Sequence, residues 1–217
     1  MKDSKPLTLL FDALQSEAFA DLKQEFSSLT SPYRVRKGRI LVDVGQINDH
    51  IYFIHSGVIR TYYHIGGEDV TSRLVADGDM ACVAESFFLR QKSYEAIETL
   101  EDCLIYSVSY AEYKMLAERH VLISNLIVRI LEQRLVNFSE RIKLFKSLTV
   151  EKRIESYLGQ PNSLFRRIPD HYIASYLGTT PATFSRCLKL LLRDKPSQLP
   201  VLTVNTIINI LAGDLLL

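Results

Sequence analysis

The side chains best placed to touch another molecule lie between Asp170 and Arg193. Asp170-His171-Tyr172-Ile173-Ala174-Ser175-Tyr176-Leu177 reads as a short helix, with Ile173, Ala174 and Leu177 at helical spacing and Gly178 ending it. Thr179-Thr180-Pro181 restarts a helix at once. Thr180 is placed as N-cap, and Pro181 at the first helical position lacks only an N–H that would have no intrahelical partner. Phe184, Cys187, Leu188 and Leu191 then fall on one face, and Ala182, Ser185, Arg186 and Lys189 on the other. Helix, Gly-containing turn, helix is the helix-turn-helix arrangement, whose second helix offers its N-terminal residues to base edges in the major groove. The candidate DNA-contacting residues are His171, Tyr172, Thr180, Pro181, Ala182, Ser185, Arg186, Lys189 and Arg193. Of these, His171, Lys189 and Arg193 suit phosphates and would set salt dependence.

Other elements must hold that pair of helices. Val201-Leu202-Thr203-Val204 and Ile207-Ile208-Asn209-Ile210 flank Asn205-Thr206 and read as a hairpin, the wing of a winged helix. Upstream, Val150 to Tyr157 is predicted helical. Before it, Val121, Ser124, Val128, Leu131, Leu135, Phe138, Ile142 and Phe145 recur in steps of three and four without Gly or Pro, a coiled-coil stripe on one long helix. Leu122, Ile123, Leu126, Ile127 and Ile130 widen the apolar face of its first half, which its own domain can cover. The narrow second half suits a twin helix, so Val128, Leu131, Leu135, Phe138 and Ile142 are the expected dimer contacts.

The N-terminal half has a different character. Leu10, Phe11, Leu14, Phe19, Leu22 and Phe26 have helical spacing. From Tyr33 onward Val, Ile, Tyr and Thr dominate, punctuated by Gly38, Gly45, Gly57, Gly66, Gly67 and Gly78. Strands are predicted at 33–36, 39–44, 51–55, 57–64, 69–75, 79–83, 94–100 and 103–108, with a hairpin turn over His64-Ile65-Gly66-Gly67-Glu68. Many short strands with regular turns indicate a sandwich or jelly roll. Ser109 is placed to cap a helix over Tyr110 to Arg119. The fold class expected is therefore α+β: a β-roll domain over 1–120, a dimerisation helix over 121–146 and a winged helix-turn-helix over 147–217.

Composition agrees with that division. Of 217 residues, positions 1–140 carry 15 Lys+Arg against 20 Asp+Glu, and positions 141–217 carry 11 against 5. A mildly acidic front and a basic back suit a sensor joined to a nucleic-acid binder. Three cysteines far apart argue against a disulfide framework and for a reducing compartment. The start of the chain is polar, without a secretory h-region, and no apolar run is long enough to span a bilayer. A cytoplasmic protein without membrane partners is expected.

Together, Lys37-Gly38, Gly45, Ile51-Tyr52-Phe53-Ile54, Ser56-Gly57, Ile59-Arg60 and Gly78-Asp79, followed by Ile173-Ala174, Leu177-Gly178, Thr180-Pro181, Ser185-Arg186 and Leu188, resemble the Crp/Fnr family of bacterial transcription regulators. The resemblance runs from about Phe26 to Leu215. It implies a cyclic-nucleotide-binding-type β-roll, a homodimer, double-stranded DNA with a pseudo-palindromic operator as partner, RNA polymerase as a further partner, and a small-molecule effector. It also implies that Arg186 reads a guanine. Where the family carries a Glu that reads a cytosine, this chain has Ala182.

The departures concern the effector. Cyclic-nucleotide binders of the family use a Gly-Glu pair for the ribose and an Arg-Ser pair for the cyclic phosphate, because a sugar hydroxyl calls for a carboxylate and a phosphate for a guanidinium. Those positions fall on Cys82-Val83 and near Ser93-Tyr94. Phe138-Ser139 stands where small hydroxyl residues would meet the purine. The effector is thus expected to be something other than cAMP, with Glu85, Ser86, Arg90, Ser93, Tyr94, Arg134 and Phe138 as candidate contacts. The chain lacks the N-terminal cysteine cluster of the iron–sulfur members, and His50, His55 and His64 read as ordinary strand residues rather than haem ligands. Neither cofactor nor metal nor catalytic residue is expected. The competing readings are a cupin-like metal-dependent enzyme, which would need closely spaced His and Glu on facing strands, and a nucleotide-gated regulatory module without DNA binding.

Overall fold

The structure is a computed structural model that describes residues 20–160 and 163–194. The expected helical stretch before Ala20 and the expected hairpin after Val201 lie outside the described residues. The chain divides into two compact units between Phe138 and Ser139.

The first unit opens with helix α1 (Ala20–Leu29) and continues into eight strands: β1 (Tyr33–Val35), β2 (Ile40–Val42), β3 (His50–Ser56), β4 (Val58–Ile65), β5 (Glu68–Ala76), β6 (Met80–Ala81), β7 (Ala96–Thr99) and β8 (Cys103–Ser109). A short helix, α2 (Ala84–Leu89), interrupts them between β6 and β7. Two four-stranded sheets result, ordered β1-β8-β3-β6 and β2-β7-β4-β5, with antiparallel pairing throughout.

Alternation of side chains across each strand explains the layers. On β3, Tyr52 and Ile54 join Ile59, Val75, Ile97 and Ile105 between the sheets. Ile51 and Phe53 turn the other way and meet Phe26, Phe87, Leu116 and Ile123 beneath the helices. The uninterrupted apolar run Ile51–Ile54 is therefore a strand covered on both faces.

Two turns depend on glycine. Ile65 pairs with Glu68 across Gly66 and Gly67, which both take positive φ, 60° and 87°, as a tight two-residue hairpin loop demands. At Gly57 (φ 114°) an added Cβ would come within 2.5 Å of Cys103 Sγ, so no side chain fits between β3 and β4.

Helix α3 (Tyr110–Arg119) starts at Ser109 with a reciprocal capping box. The Glu112 amide donates to Ser109 Oγ at 3.2 Å, and the Ser109 amide donates to Glu112 Oε2 at 2.7 Å. A single non-helical residue, His120, separates it from the long helix α4 (Val121–Ser147). The first half of α4 buries Ile123, Leu126, Ile127 and Ile130 in the first unit. At 1.5 Å per residue α4 is roughly 40 Å long.

The second unit contains the end of α4, then α5 (Val150–Leu158), α6 (Asp170–Tyr176) and α7 (Pro181–Asp194). Its buried apolar side chains among the described residues are Ile154, Tyr157, Leu158, Leu164, Ile168, Ile173, Ala174, Leu177, Phe184, Cys187, Leu188 and Leu192. The sequence places Leu191 on the buried face of α7. Leu192 is the residue fully enclosed, and Leu191 is half-buried beside it.

Candidate effector site and nucleic-acid interface

The roll carries its polar groups around β6, α2 and the loop after it. Asn48 is wholly buried and organises them: its Oδ1 accepts from the Val83 amide at 2.6 Å, its Nδ2 donates to the His50 carbonyl at 2.6 Å, and its amide donates to Ser86 Oγ at 2.8 Å. Ser86 in turn donates to the Gln91 carbonyl at 2.6 Å. Arg90, in the left-handed conformation that ends α2, pairs with Asp49 at 2.5 Å and lies over the Tyr110 ring. Ser93 donates to the Glu95 carbonyl. Of the candidate effector contacts, Ser86, Arg90 and Ser93 thus hold the α2 loop in shape. Glu85 and Tyr94 are exposed. They lie close enough to interact, since the Tyr94 hydroxyl is raised by burial first and then by the Glu95 and Glu85 carboxylates and Tyr63.

Arg134 behaves differently. From α4 it donates to the Met80 carbonyl at 2.7 Å. Arg73 of β5 donates to the same oxygen at 3.4 Å. Arg73 stands opposite Thr61 in the register and two residues from Val75, hence on the inward face of its sheet. Burial brings Arg134 down to about 10, the charge of Arg73 pushes the same way, and Cys82 and Asp79 oppose them, so Arg134 stays protonated at neutral pH. The carboxylate beside them, Asp79, is 3.9 Å from Arg134 and already accepts from the Met80 amide. Phe138 is 62% exposed and does not close the roll from within this chain.

The sequence reading missed Arg73 and Asn48. Arg73 had a signal: it shares the inward period of β5 with Val75, where an apolar residue is the rule. Asn48 had none, because a buried amide that satisfies loop amides looks like any turn residue.

Further along α4 the apolar stripe lies open. Val128, Leu131, Leu135, Phe138 and Ile142 are 52%, 41%, 67%, 62% and 40% exposed. No described residue of this chain covers them fully.

In the second unit α6 ends at Gly178 (φ 67°), whose amide donates to the Ser175 carbonyl, while the Thr179 amide reaches back to Ala174. Thr180 Oγ1 then accepts from the Thr183 amide at 3.2 Å and α7 begins at Pro181. The last turns of α4 buttress this turn. Arg141 donates to the Tyr176 carbonyl at 2.9 Å and lies over its ring, and Arg153 lies over the Phe145 ring. Pro181, Ala182, Ser185, Arg186 and Lys189 are exposed along α7, with Thr180 at its start and Arg193 near its end. His171 is exposed on α6 with its ring 4.0 Å from that of the half-buried Tyr172. Arg186 is near Glu151, whose carboxyl is held low by its own amide, then by Thr149, and least by Arg186.

Among the described residues no three or more His, Cys, Asp or Glu side chains stand together to hold a metal ion, and no helix is long and apolar enough to cross a membrane.

Residues 32–120 match the family model of the cyclic nucleotide-binding domain. The structural neighbours of the chain include Crp/Fnr family regulators. FixK2 from Bradyrhizobium japonicum is 18% identical with a TM-score of 0.65, over 76% of this chain and 85% of that one. A CooA mutant from Carboxydothermus hydrogenoformans is 19% identical with a TM-score of 0.65, over 89% and 86%. A protein from Eubacterium rectale described as a crp/fnr-family transcriptional regulator is 20% identical with a TM-score of 0.66, over 87% and 88%. At these identities the likeness is one of fold. No curated protein matches the chain in sequence.

Proposed function

We propose that this protein is a homodimeric, sequence-specific DNA-binding transcription regulator whose roll senses a small molecule other than cAMP. The observation that carries the reading is the outer face of α7: Ala182, Ser185, Arg186 and Lys189 stand exposed in the turns that follow the Gly178 bend, opposite the buried Phe184, Cys187 and Leu188. A helix so presented after a tight turn suits a major groove. The excess of basic residues after position 140 supplies the attraction to phosphate. RNA polymerase fits as a downstream partner, and the open α4 stripe fits a second copy.

The effector reading rests on chemistry. Cys82 and Val83 offer no carboxylate to a ribose, and the Ser93 hydroxyl is engaged by the Glu95 carbonyl. One regulator with this fold, from Xanthomonas campestris, is described as c-di-GMP responsive, which supports an effector other than cAMP.

The test is selection from a randomised operator library at fixed salt. Arg186 can form two parallel hydrogen bonds with a guanine, worth about 1–3 kcal/mol of discrimination. Arg186→Ala relaxes preference at one base pair per half-site, and Lys189→Ala weakens all sequences alike. An unchanged sequence logo in Arg186→Ala makes Arg186 a backbone contact and overturns the specificity assignment. Absence of any selected two-fold site for the wild type overturns the reading itself.

A further inference from the structure

The two arginines at Met80 are an unbalanced arrangement. Each guanidinium has five N–H donors, and a pair of them costs repulsion when brought together. Here Arg73 and Arg134 share one backbone carbonyl, at 3.4 and 2.7 Å. Asp79 is beyond hydrogen-bond distance at 3.9 Å, and its Oδ1 is occupied by the Met80 amide. Among the described residues no other carboxylate pairs with either arginine. The side chain of Arg134 is 25% exposed, so a solute can reach it. Elsewhere in the roll a buried arginine is treated differently: Arg60 pairs with both Asp69 (2.7 Å) and Glu98 (2.8 Å). The fold neutralises Arg60 with two carboxylates and leaves Arg73 and Arg134 with one distant carboxylate between them.

We infer that Arg73 and Arg134 together hold a phosphoryl group of the small-molecule effector, bridging β5 and the long helix beside the Met80 carbonyl. The inference rests on the proposed sensor role of the roll and specifies the chemistry of its ligand. A tetrahedral phosphoryl group presents several oxygens to two guanidinium forks, and each fork makes paired, charge-assisted hydrogen bonds with it. A carboxylate has two oxygens in one plane and satisfies one fork well. A phosphate monoester also carries about −1.5 to −2 charges at neutral pH, closer to two arginines than the single charge of a cyclic phosphodiester. The site uses neither Ser93 nor Tyr94. It therefore supplies from β5 and α4 the guanidinium that Ser93-Tyr94 do not offer, Arg90 being engaged by Asp49.

The experiment is thermal unfolding of the full-length protein with inorganic phosphate, phenyl phosphate, succinate or cAMP, each against sodium chloride at matched ionic strength. Phosphate and phenyl phosphate are expected to raise the midpoint in a saturable way, since a ligand that binds only the native state stabilises it by RT ln(1 + [L]/Kd). The effect should fall at least tenfold in apparent affinity in Arg73→Gln and in Arg134→Gln. Lys114→Gln, which removes an exposed cation paired with Glu118 on α3, should leave it intact. Arg73→Lys and Arg134→Lys keep the charge and guard against misfolding, and each should lose only part of the affinity. A ³¹P titration of the wild type reads the same site without unfolding.

Equal shifts with chloride, or phosphate shifts retained in both Gln variants, overturn the inference. A stronger response to succinate than to phosphate overturns the phosphoryl assignment. Operator binding, measured on the same variants, separates the two levels. If operator binding holds but the arginines do not matter, the inference alone fails. If no operator is bound, the regulator reading fails.

Discussion

Replacing Leu135 and Phe138 together with Glu is the sharpest test of the proposed dimer. The five stripe residues are 40–67% exposed. That leaves roughly two to three side chains' worth of apolar surface per protomer, or about five per dimer, at about 1.5–3 kcal/mol for each side chain fully covered. The gross gain is then roughly 8–16 kcal/mol, against an association cost of about 4–15 kcal/mol. A micromolar dimer needs about 8 kcal/mol net, so the stripe has to be covered nearly completely and its centre matters most. Leu135 and Phe138 account for about half of the exposed area, and each occurs twice in the dimer, so their loss removes roughly 4–8 kcal/mol. Four carboxylates without partners at the seam weaken it further. The expected result is a dimer for the wild type and a monomer for the double variant, by light scattering at micromolar concentration. Both side chains are more than 60% exposed within one chain, so each protomer should keep its circular dichroism. A wild type that is monomeric under these conditions, or a double variant that stays dimeric, refutes the reasoning.

Gly57→Ala should cost about 2–4 kcal/mol by denaturant unfolding, because it combines an unfavourable positive φ with a 2.5 Å approach to Cys103 Sγ. Gly178→Ala should cost less, because its nearest obstacle, Phe145 Cε1 at 2.7 Å, belongs to a side chain that can shift. The Glu25 carboxyl accepts from His120 at 2.7 Å and from Arg119 at 2.8 Å and is held low, chiefly by the His120 hydrogen bond. A lowered folded value means that its contribution is complete above the unfolded carboxylate value of about 4.3 and is lost as pH falls through the folded one. Thermal midpoints of Glu25→Gln should therefore lie below wild type at pH 6 and converge with it in acid, and a constant gap down to pH 2 would contradict this. Phosphate at saturation should change the dimer dissociation constant by the square of the ratio of its affinities for monomer and dimer, measurable by sedimentation with the Leu135/Phe138 double variant as the monomer reference. A constant that stays fixed despite unequal affinities would break that linkage.

Much of the fold was legible because local chemistry and tertiary packing agree. Ser109 announces the start of α3, Thr180-Pro181 that of α7, and Gly66-Gly67 the hairpin, since each turn admits few residue types. Strand ends were less legible. The expected strand over 79–83 is only Met80–Ala81, and the expected strand over 94–100 is Ala96–Thr99. Helix α2 was not expected, because six residues with Phe87 and Phe88 carry too short a period to separate helix from strand. The effector region was the least legible. Ser86, Arg90 and Ser93 have the side chains of a binding loop, yet their hydrogen bonds close on Gln91, Asp49 and Glu95. Which polar group binds the fold and which is left over for a ligand depends on contacts between residues tens of positions apart, such as Asn48 with Val83 and Arg73 with the carbonyl that Arg134 also reaches.

On the proposed reading, that shared carbonyl puts two roles on one turn of α4. Arg134 and Leu135 are neighbours, and successive helical residues point about 100° apart. The guanidinium therefore turns into the roll while Leu135 faces outward at 67% exposure, between Leu131 and Phe138. A ligand that draws Arg134 toward Arg73 acts on the same turn that a second copy would cover. No relay through distant residues is needed: a helix is stiff over one turn, and displacing one of its faces displaces the other. The repulsion between the two arginines gives such a ligand a state to choose. An anion between them would offset that repulsion, which the Met80 carbonyl they already share offsets only in part. On the proposed reading, the charge of the ligand would be read through Arg73 and Arg134, and the rest of it through the exposed Glu85 and Tyr94.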